Sequence, residues 1–243
     1  MNHFPPDWKC DRLKDVAAIN VASLPADTDP DYEFQYLEIS NVDYFGVVND
    51  TAIERLRFEA APSRARRRVF QNCTIISSVR PNLQAAAFFP EHRPDFICST
   101  GFNVVRPNEH HLLPHFAYYV LISEHARQWF EATAKGVGYP AVDDKDFGSL
   151  IVPLPPLPEQ ERIAAFLRAS CATIDTVASL GENSDESTRP TGVLNRQMET
   201  LLAYRKSLIH ECVTGQRRIT EADLRRAGGC SSASTSLHTA NQL

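Results

Sequence analysis

A chain of 243 residues with 43% hydrophobic content can bury a sizeable core, and at roughly 150 residues per domain it is expected to form one globular domain plus an appendage. No run of eighteen apolar residues occurs, and the start, MNHFPPDWKCD, lacks the apolar centre of a signal peptide; this argues against a membrane span and leads us to expect a cytoplasmic protein. The net charge of -5 argues against indiscriminate nucleic-acid binding, and the six cysteines contain no C-x-x-C pair, so neither a zinc ribbon nor a disulfide scaffold is suggested.

In chain order, Trp8 to Asn20 alternates weakly and predicts a strand and a short helical turn. Glu33 to Ile39 (EFQYLEI) predicts a strand with Phe34, Tyr36 and Glu38 on one face and Gln35, Leu37 and Ile39 on the other. Residues 1–52 carry three Lys/Arg against ten Asp/Glu, a balance of -7, whereas residues 53–106 carry nine Arg against four acids, a balance of +5. A local basic band on an acidic protein suits a site-selective phosphate binder, and an unevenly charged solvated surface explains it equally well. TIISSV (74–79), QAAAFF (84–89) and FICSTGFNVV (96–105) are β-rich runs separated by Arg80-Pro81-Asn82 and by Pro90 to Pro94. From Pro114 to Ala134 the apolar spacing becomes helical, with Gly136 placed to cap that helix. A Gly-rich loop, an acidic helical turn and a closing strand complete an α+β domain with a mixed, mainly β core over residues 1–152.

At Ile151 to Leu167 (IVPLPPLPEQERIAAFL) the chain changes character. Pro155, Pro156 and Pro158 forbid further sheet pairing, and a helix is expected from Leu157 or Pro158, where the missing proline N–H costs nothing. Ile163, Leu167, Ser170, Ile174 and Val177 are spaced 4, 3, 4, 3, and Leu194, Met198, Leu201, Arg205, Leu208 and Cys212 are spaced 4, 3, 4, 3, 4. These are coiled-coil seams, predicting a helical arm over 153–220. Gly181 to Gly192 is expected to interrupt it. A small basic helix around Ala222 to Arg226 can follow, within a tail, 221–243, expected to be largely disordered.

Catalytic signatures are missing. There is no G-x-x-x-x-G-K-[ST] loop, the one G-x-G (Gly136-Val137-Gly138) follows a helix rather than a strand, and Ser77, Ser78 and Ser99 lack a G-x-S-x-G setting. Pro94-Asp95 with Asp143-Asp144-Lys145 is a short, chance-prone match to a metal-dependent nuclease core. His110, His111 and His115 sit in a loop and a helix start with no partner cysteine nearby, so no metal is expected.

The blocks SRARRRVF, IISSVRPNLQAAAFFP, DFICSTGFNVVRP, GVGYPAVDDKDF, IVPLPPLPEQERIAAFL and AYRKSLIHECVTG, in this order over residues 63–216, resemble the specificity subunit of type I restriction-modification systems; Pro6-Asp7-Trp8 with Leu13 resembles the usual opening of its target recognition domain. The resemblance implies a non-catalytic reader of double-stranded DNA. It also implies partner methyltransferase subunits, which use S-adenosylmethionine to methylate adenine N6, and an ATP-driven motor-nuclease subunit; S-adenosylmethionine, ATP and Mg belong to those partners and not to this chain. Family members usually carry two recognition domains, so one recognition domain with one helical region implies a half-subunit. Two further departures are Gln71-Asn72-Cys73, where a Gly-Asp turn is common, and the long loop at Gly181 to Gly192.

Arg64, Arg66, Arg67 and Arg68 are therefore candidates for phosphate contact. Arg80, Asn82 and Gln84, with Lys135, Gly136, Gly138 and Tyr139, are candidates for phosphate or base edges. The alternatives are a solvated strand edge for the Arg run and a helix cap for Gly136. Leu157, Pro158, Ile163, Leu167, Ile174, Leu194, Met198, Leu201 and Leu208 are the candidate helical interface, for dimerisation or methyltransferase docking. If two copies pair these seams, a homodimer, or a pair with another half-subunit, reads two half-sites across a spacer. Arg205 on the seam needs an acid or a partner protein. The competing reading is a remnant or regulator that binds the methyltransferase without reading DNA.

Overall fold

Alternating apolar positions build two stacked sheets in the computed structural model, which describes residues 4–80, 85–182 and 192–233. Contacts divide the chain into Lys9–Leu154 and a helical unit made of the residues from Pro155 onward together with those up to Trp8.

The first unit runs β1 (Lys9–Arg12), α1 (Leu13–Val16), β2 (Ala17–Ile19), β3 (Glu33–Leu37), β4 (Glu54–Arg57), β5 (Ala65–Arg68), β6 (Cys73–Ser77), β7 (Ala86–Phe89), β8 (Phe96–Ser99), β9 (Phe102–Pro107), α2 (Pro114–Leu121), α3 (Glu124–Thr133), α4 (Asp144–Gly148) and β10 (Ile151–Leu154). One sheet has the order β2-β9-β6-β7 and the other β4-β3-β8-β5, while β1 pairs with β10, Lys9 opposite Leu154. β3 and β8 are parallel and the other named pairs antiparallel, so the β4-β3-β8-β5 sheet is mixed and the β2-β9-β6-β7 sheet wholly antiparallel.

The period-two pattern of β3 explains the stacking. Phe34 and Tyr36 join Leu24, Ala65 and Ile97 on one side, and Leu37 joins Ile75, Phe89, Phe96, Phe102 and Val104 on the other. Each fully buried phenylalanine contributes roughly 2–3 kcal/mol by leaving water. α2 covers β6, β7 and β9, with the Phe88 and His115 rings 4.4 Å apart.

Several expectations are corrected. The run 96–105 is two strands, because Thr100-Gly101 turns the chain and Ser99 Oγ accepts the Gly101 N–H at 3.2 Å. The helix expected over 114–134 is two: Ser123 Oγ donates to the Val120 carbonyl at 2.6 Å and accepts from the Ala126 N–H at 3.4 Å, closing α2 and capping α3. Gly136 does not cap α3, whose C-cap is Ala134; it lies beyond, at φ +108°, in a projecting loop. At the Gln71-Asn72 turn Asn72 adopts φ +58°, a conformation asparagine tolerates better than most residues.

The helical unit consists of α5 (Leu157–Glu182), α6 (Gly192–Val213) and α7 (Glu221–Ala233). α5 begins at Leu157, as expected, with the Pro156 carbonyl accepting the Glu159 and Gln160 N–H groups at 2.8 and 3.0 Å and Gln160 Nε2 donating to the Pro155 carbonyl at 2.9 Å. Gly181, Glu182 and Gly192 are helical rather than part of the interruption, because a chain end within a turn of a helix terminus tolerates glycine; residues 183–191 lie outside the described residues. The two seams meet each other in this chain. Ile163, Leu167, Cys171 and Ile174 on α5 and Leu208 and Cys212 on α6 are buried, Leu201 and Met198 half-buried, Leu157 half-buried and Pro158 and Val177 exposed; the side chain of Leu194 lies outside the described residues. Arg205 finds its acid inside the pair, with Nε 2.7 Å from Asp175 Oδ1. Within the chain the two seams thus cover each other over most of their length, with Pro158 and Val177 left exposed.

The disordered tail is corrected as well, since α7 occupies 221–233. Thr220 and Asp223 form a reciprocal cap at its start, the Thr220 N–H donating to Asp223 Oδ2 at 2.9 Å and the Asp223 N–H to Thr220 Oγ1 at 3.3 Å. Residues 234–243 lie outside the described residues. Residues before β1 clasp this helical unit: Arg218 binds Asp7 at 2.5 Å and Glu159 at 2.6 Å and covers the Trp8 ring at 5.2 Å. Gly215, at φ +74°, makes the approach possible, because a Cβ there would lie 2.3 Å from Pro5 Cγ. Among the described residues no helix is long and apolar enough to cross a membrane.

Candidate nucleic-acid interface

Every candidate DNA-contacting residue that can be placed belongs to the β-rich unit, and the arginine run divides there. β5 is the last strand of its sheet, paired with β8 through a bulge between Ala65 and Arg67 and bonded along its outer edge to residues 22–24, and successive strand side chains point to opposite faces. Arg64 is 58% exposed and binds Glu38 Oε1 at 2.5 Å and the Tyr36 hydroxyl at 3.0 Å; the bond to Glu38 raises its pKa. Arg66 lies over the Phe58 ring at 4.4 Å. Arg67 turns inward, its side chain 14% exposed, donating to the Phe102 carbonyl and, at 3.0 Å, to Asn103 Oδ1; burial lowers its pKa. Arg68 is half-buried.

A second group converges although its members are some sixty residues apart. The segment Ser78–Arg80 and the loop 135–142 are bound side by side: the Arg80 N–H donates to the Pro140 carbonyl at 2.8 Å and the Val142 N–H to the Ser78 carbonyl at 2.9 Å. Lys135 and Ala141 close the loop with reciprocal bonds of 2.8 and 3.0 Å. Lys135 Nζ reaches Asp143 at 2.6 Å and Asp146 at 2.9 Å, and the Asp143 bond first among causes pushes its pKa up. At the tip Gly136, Val137, Gly138 and Tyr139 are all exposed, and the Arg80 guanidinium lies 4.6 Å from the Tyr139 ring centroid. Arg64, Ser78 and Val79 line one concavity of about 530 Å³ with Glu38 and the Ser99–Gly101 turn.

The structure thus brings together Arg64, Arg80, Lys135, Gly136, Gly138 and Tyr139 along neighbouring loops and withdraws Arg67. Asn82 and Gln84 lie outside the described residues. Sequence reasoning missed Glu38, the exposed Val137 and the Thr100-Gly101 turn; the signal for the turn was the Ser-Thr-Gly triplet inside an otherwise apolar run.

The carboxylates once compared with a nuclease core have structural occupations. Asp95 accepts from Gln35 at 3.0 Å and from Arg55 at 3.3 Å, and Asp143 caps α4 while holding Lys135. Among the described residues no group of three or more His, Cys, Asp or Glu is placed to hold a metal ion. The described cysteines are unpaired with one another as disulfides; Cys73, Cys98, Cys171 and Cys212 are buried and Cys10 exposed. Burial pushes the Cys73 and Cys171 thiols up to about 11 and Cys212 to about 12, far from nucleophilic at neutral pH.

Residues 5–181 match the family described as type I restriction modification DNA specificity domain. The MjaX type I restriction enzyme specificity subunit of Methanocaldococcus jannaschii is 23% identical over 222 residues, covering 88% of this chain and 47% of that protein. The HindI type I restriction enzyme specificity subunit of Haemophilus influenzae is 25% identical over 104 residues, 42% of this chain and 23% of that protein. Among solved structures, the HsdS subunit from Thermoanaerobacter tengcongensis is similar with a TM-score of 0.62 and 32% identity over 73% of this chain and 44% of that one. A chain solved in work on complex assembly and conformational transition of the type I R-M system is similar with a TM-score of 0.66 and 31% identity, over 83% and 50%. The chain spans about half the length of these proteins, or less.

Proposed function

The chain belongs to the type I restriction-modification DNA specificity family, and from that membership we propose that it is the DNA-reading subunit of such a complex. It reads one half of a two-part duplex target and positions adenine-N6 methyltransferase subunits, with the motor-nuclease subunit joining for restriction. It does no chemistry itself; S-adenosylmethionine, ATP and Mg act in the partners, in the cytoplasm where the DNA is. The observation that carries this reading is the family match running from residue 5 to residue 181, across the β-rich unit and nearly all of α5. Supporting it, Arg64 lines a concavity with Ser78 and Val79, and the adjoining Arg80 is bonded to the 135–142 loop, which together offer donors suited to phosphate and base edges. Pairing of two such chains, or of this chain with another half, is part of the same proposal. The competing reading is a remnant or regulator that binds the methyltransferase without reading DNA.

The test is co-expression with a cognate methyltransferase and genome-wide mapping of methylated adenine. A palindromic, gapped motif is expected for two copies and an asymmetric gapped motif for a pair of different halves. Absence of any motif while the methyltransferase still co-purifies would establish the regulator instead.

A further inference from the structure

Arg80 combines features that no other candidate cation shares. Arg64 is tied to Glu38 and Lys135 to Asp143 and Asp146, whereas Arg80, like Arg66 and Arg68, makes no ion pair among the described residues, and it alone of these three has a backbone at positive φ. Its backbone sits at φ +48°, a conformation that costs a residue with a side chain about 1 kcal/mol or more and persists only where surrounding bonds hold it. Those bonds are the ones that fasten Ser78–Arg80 to Pro140 and Val142. A solvated arginine needs neither that backbone nor a platform, yet this one lies on the face of Tyr139, itself 73% exposed. Beside the ring, the peptide N–H groups of Gly136, Val137, Gly138 and Tyr139 donate no hydrogen bond among the described residues, and a Cβ on Gly138 would meet nothing within 4 Å.

A pre-oriented guanidinium beside four open amides offers donors and positive charge, which suits an acceptor-only anion. We propose that Arg80, oriented by Tyr139 as a positioning residue, and the amides of residues 136–139 grip a phosphate of the DNA backbone. This rests on the DNA-reading proposal and deepens it by assigning the loop to docking rather than to base discrimination, since every nucleotide step presents the same phosphate.

The test measures binding of the purified full chain to two unrelated mixed-sequence duplexes across a salt series. Arg80→Asn removes the charge while placing a residue tolerant of positive φ there, so its thermal midpoint should equal or exceed that of the unsubstituted chain. The slope of log K against log salt should become shallower by about 0.9, the value of one phosphate, with the same loss on both duplexes. Tyr139→Phe keeps the platform and should bind as the parent, and Tyr139→Ala should fall between the parent and Arg80→Asn. An unchanged slope in Arg80→Asn overturns the grip, as does a loss confined to one duplex, which reassigns Arg80 to a base edge. If the unsubstituted chain binds neither duplex, the DNA-reading proposal fails first and the grip with it.

Discussion

Arg67 and Arg68 are neighbours on β5 with different surroundings. Arg67 is enclosed, bonded to Asn103 and the Phe102 carbonyl, while Arg68 is half-buried with no ion pair among the described residues. Arg67→Ala leaves those acceptors without their donor and should cost about 2–3 kcal/mol in urea unfolding, with an unaltered salt slope for DNA binding. Arg68→Ala should stay within about 0.5 kcal/mol and bind less tightly. A fully stable Arg67→Ala chain with weakened binding would return Arg67 to the DNA surface. Residue type made all four arginines equal candidates; what separated them is which face of β5 meets Phe102 and Asn103, and a run of arginines does not show which face turns inward.

Among the elements, the N-terminal clasp on the helical unit is the one with a pH signature. Asp7 is held below the usual carboxylate range, chiefly by its hydrogen bond from Arg218. A carboxyl depressed in the folded state contributes fully above the ordinary range, and its contribution is lost as pH falls through the lowered value. Trp8, under the Arg218 guanidinium, should therefore keep its fluorescence from neutral pH down through the ordinary carboxylate range and change only below it. In Arg218→Ala the change should already be present at neutral pH. Trp129, whose Nε1 donates to the Asp146 carbonyl at 2.9 Å, supplies a constant background. Identical emission from parent and variant at neutral pH would show that Arg218 does not hold the segment. The Pro-Asp-Trp opening was legible as a motif but not as a clasp, because its partners lie about two hundred residues away.

For the whole molecule, the connection at Pro155–Pro158 bears on spacer length. The β10 strand ends at Leu154 and α5 starts at Leu157, with Pro155 and Pro156 carbonyls already engaged by Gln160 and Glu159. Replacing Pro155, Pro156 and Pro158 with glycine frees this connection. The methylated motif should keep its half-site bases and accept a wider range of spacers; an unaltered spacer would leave the prolines as a simple connector.

The sequence by itself determined the element types and their boundaries near the joint. Period-two runs became strands, heptad seams became helices, and Pro158 marked a helix start, because these signals are local and each residue's covalent geometry enforces them. It also determined the family, through blocks whose order survives low identity. Only the tertiary structure decided which partner each surface meets. It turned the two seams on each other, buried Arg67, gave Arg205 an acid thirty residues away, and set Arg80 on Tyr139. Those outcomes depend on long-range register, bulges and turns at positive φ, where the free energy is shared among residues far apart in sequence and no local pattern records it.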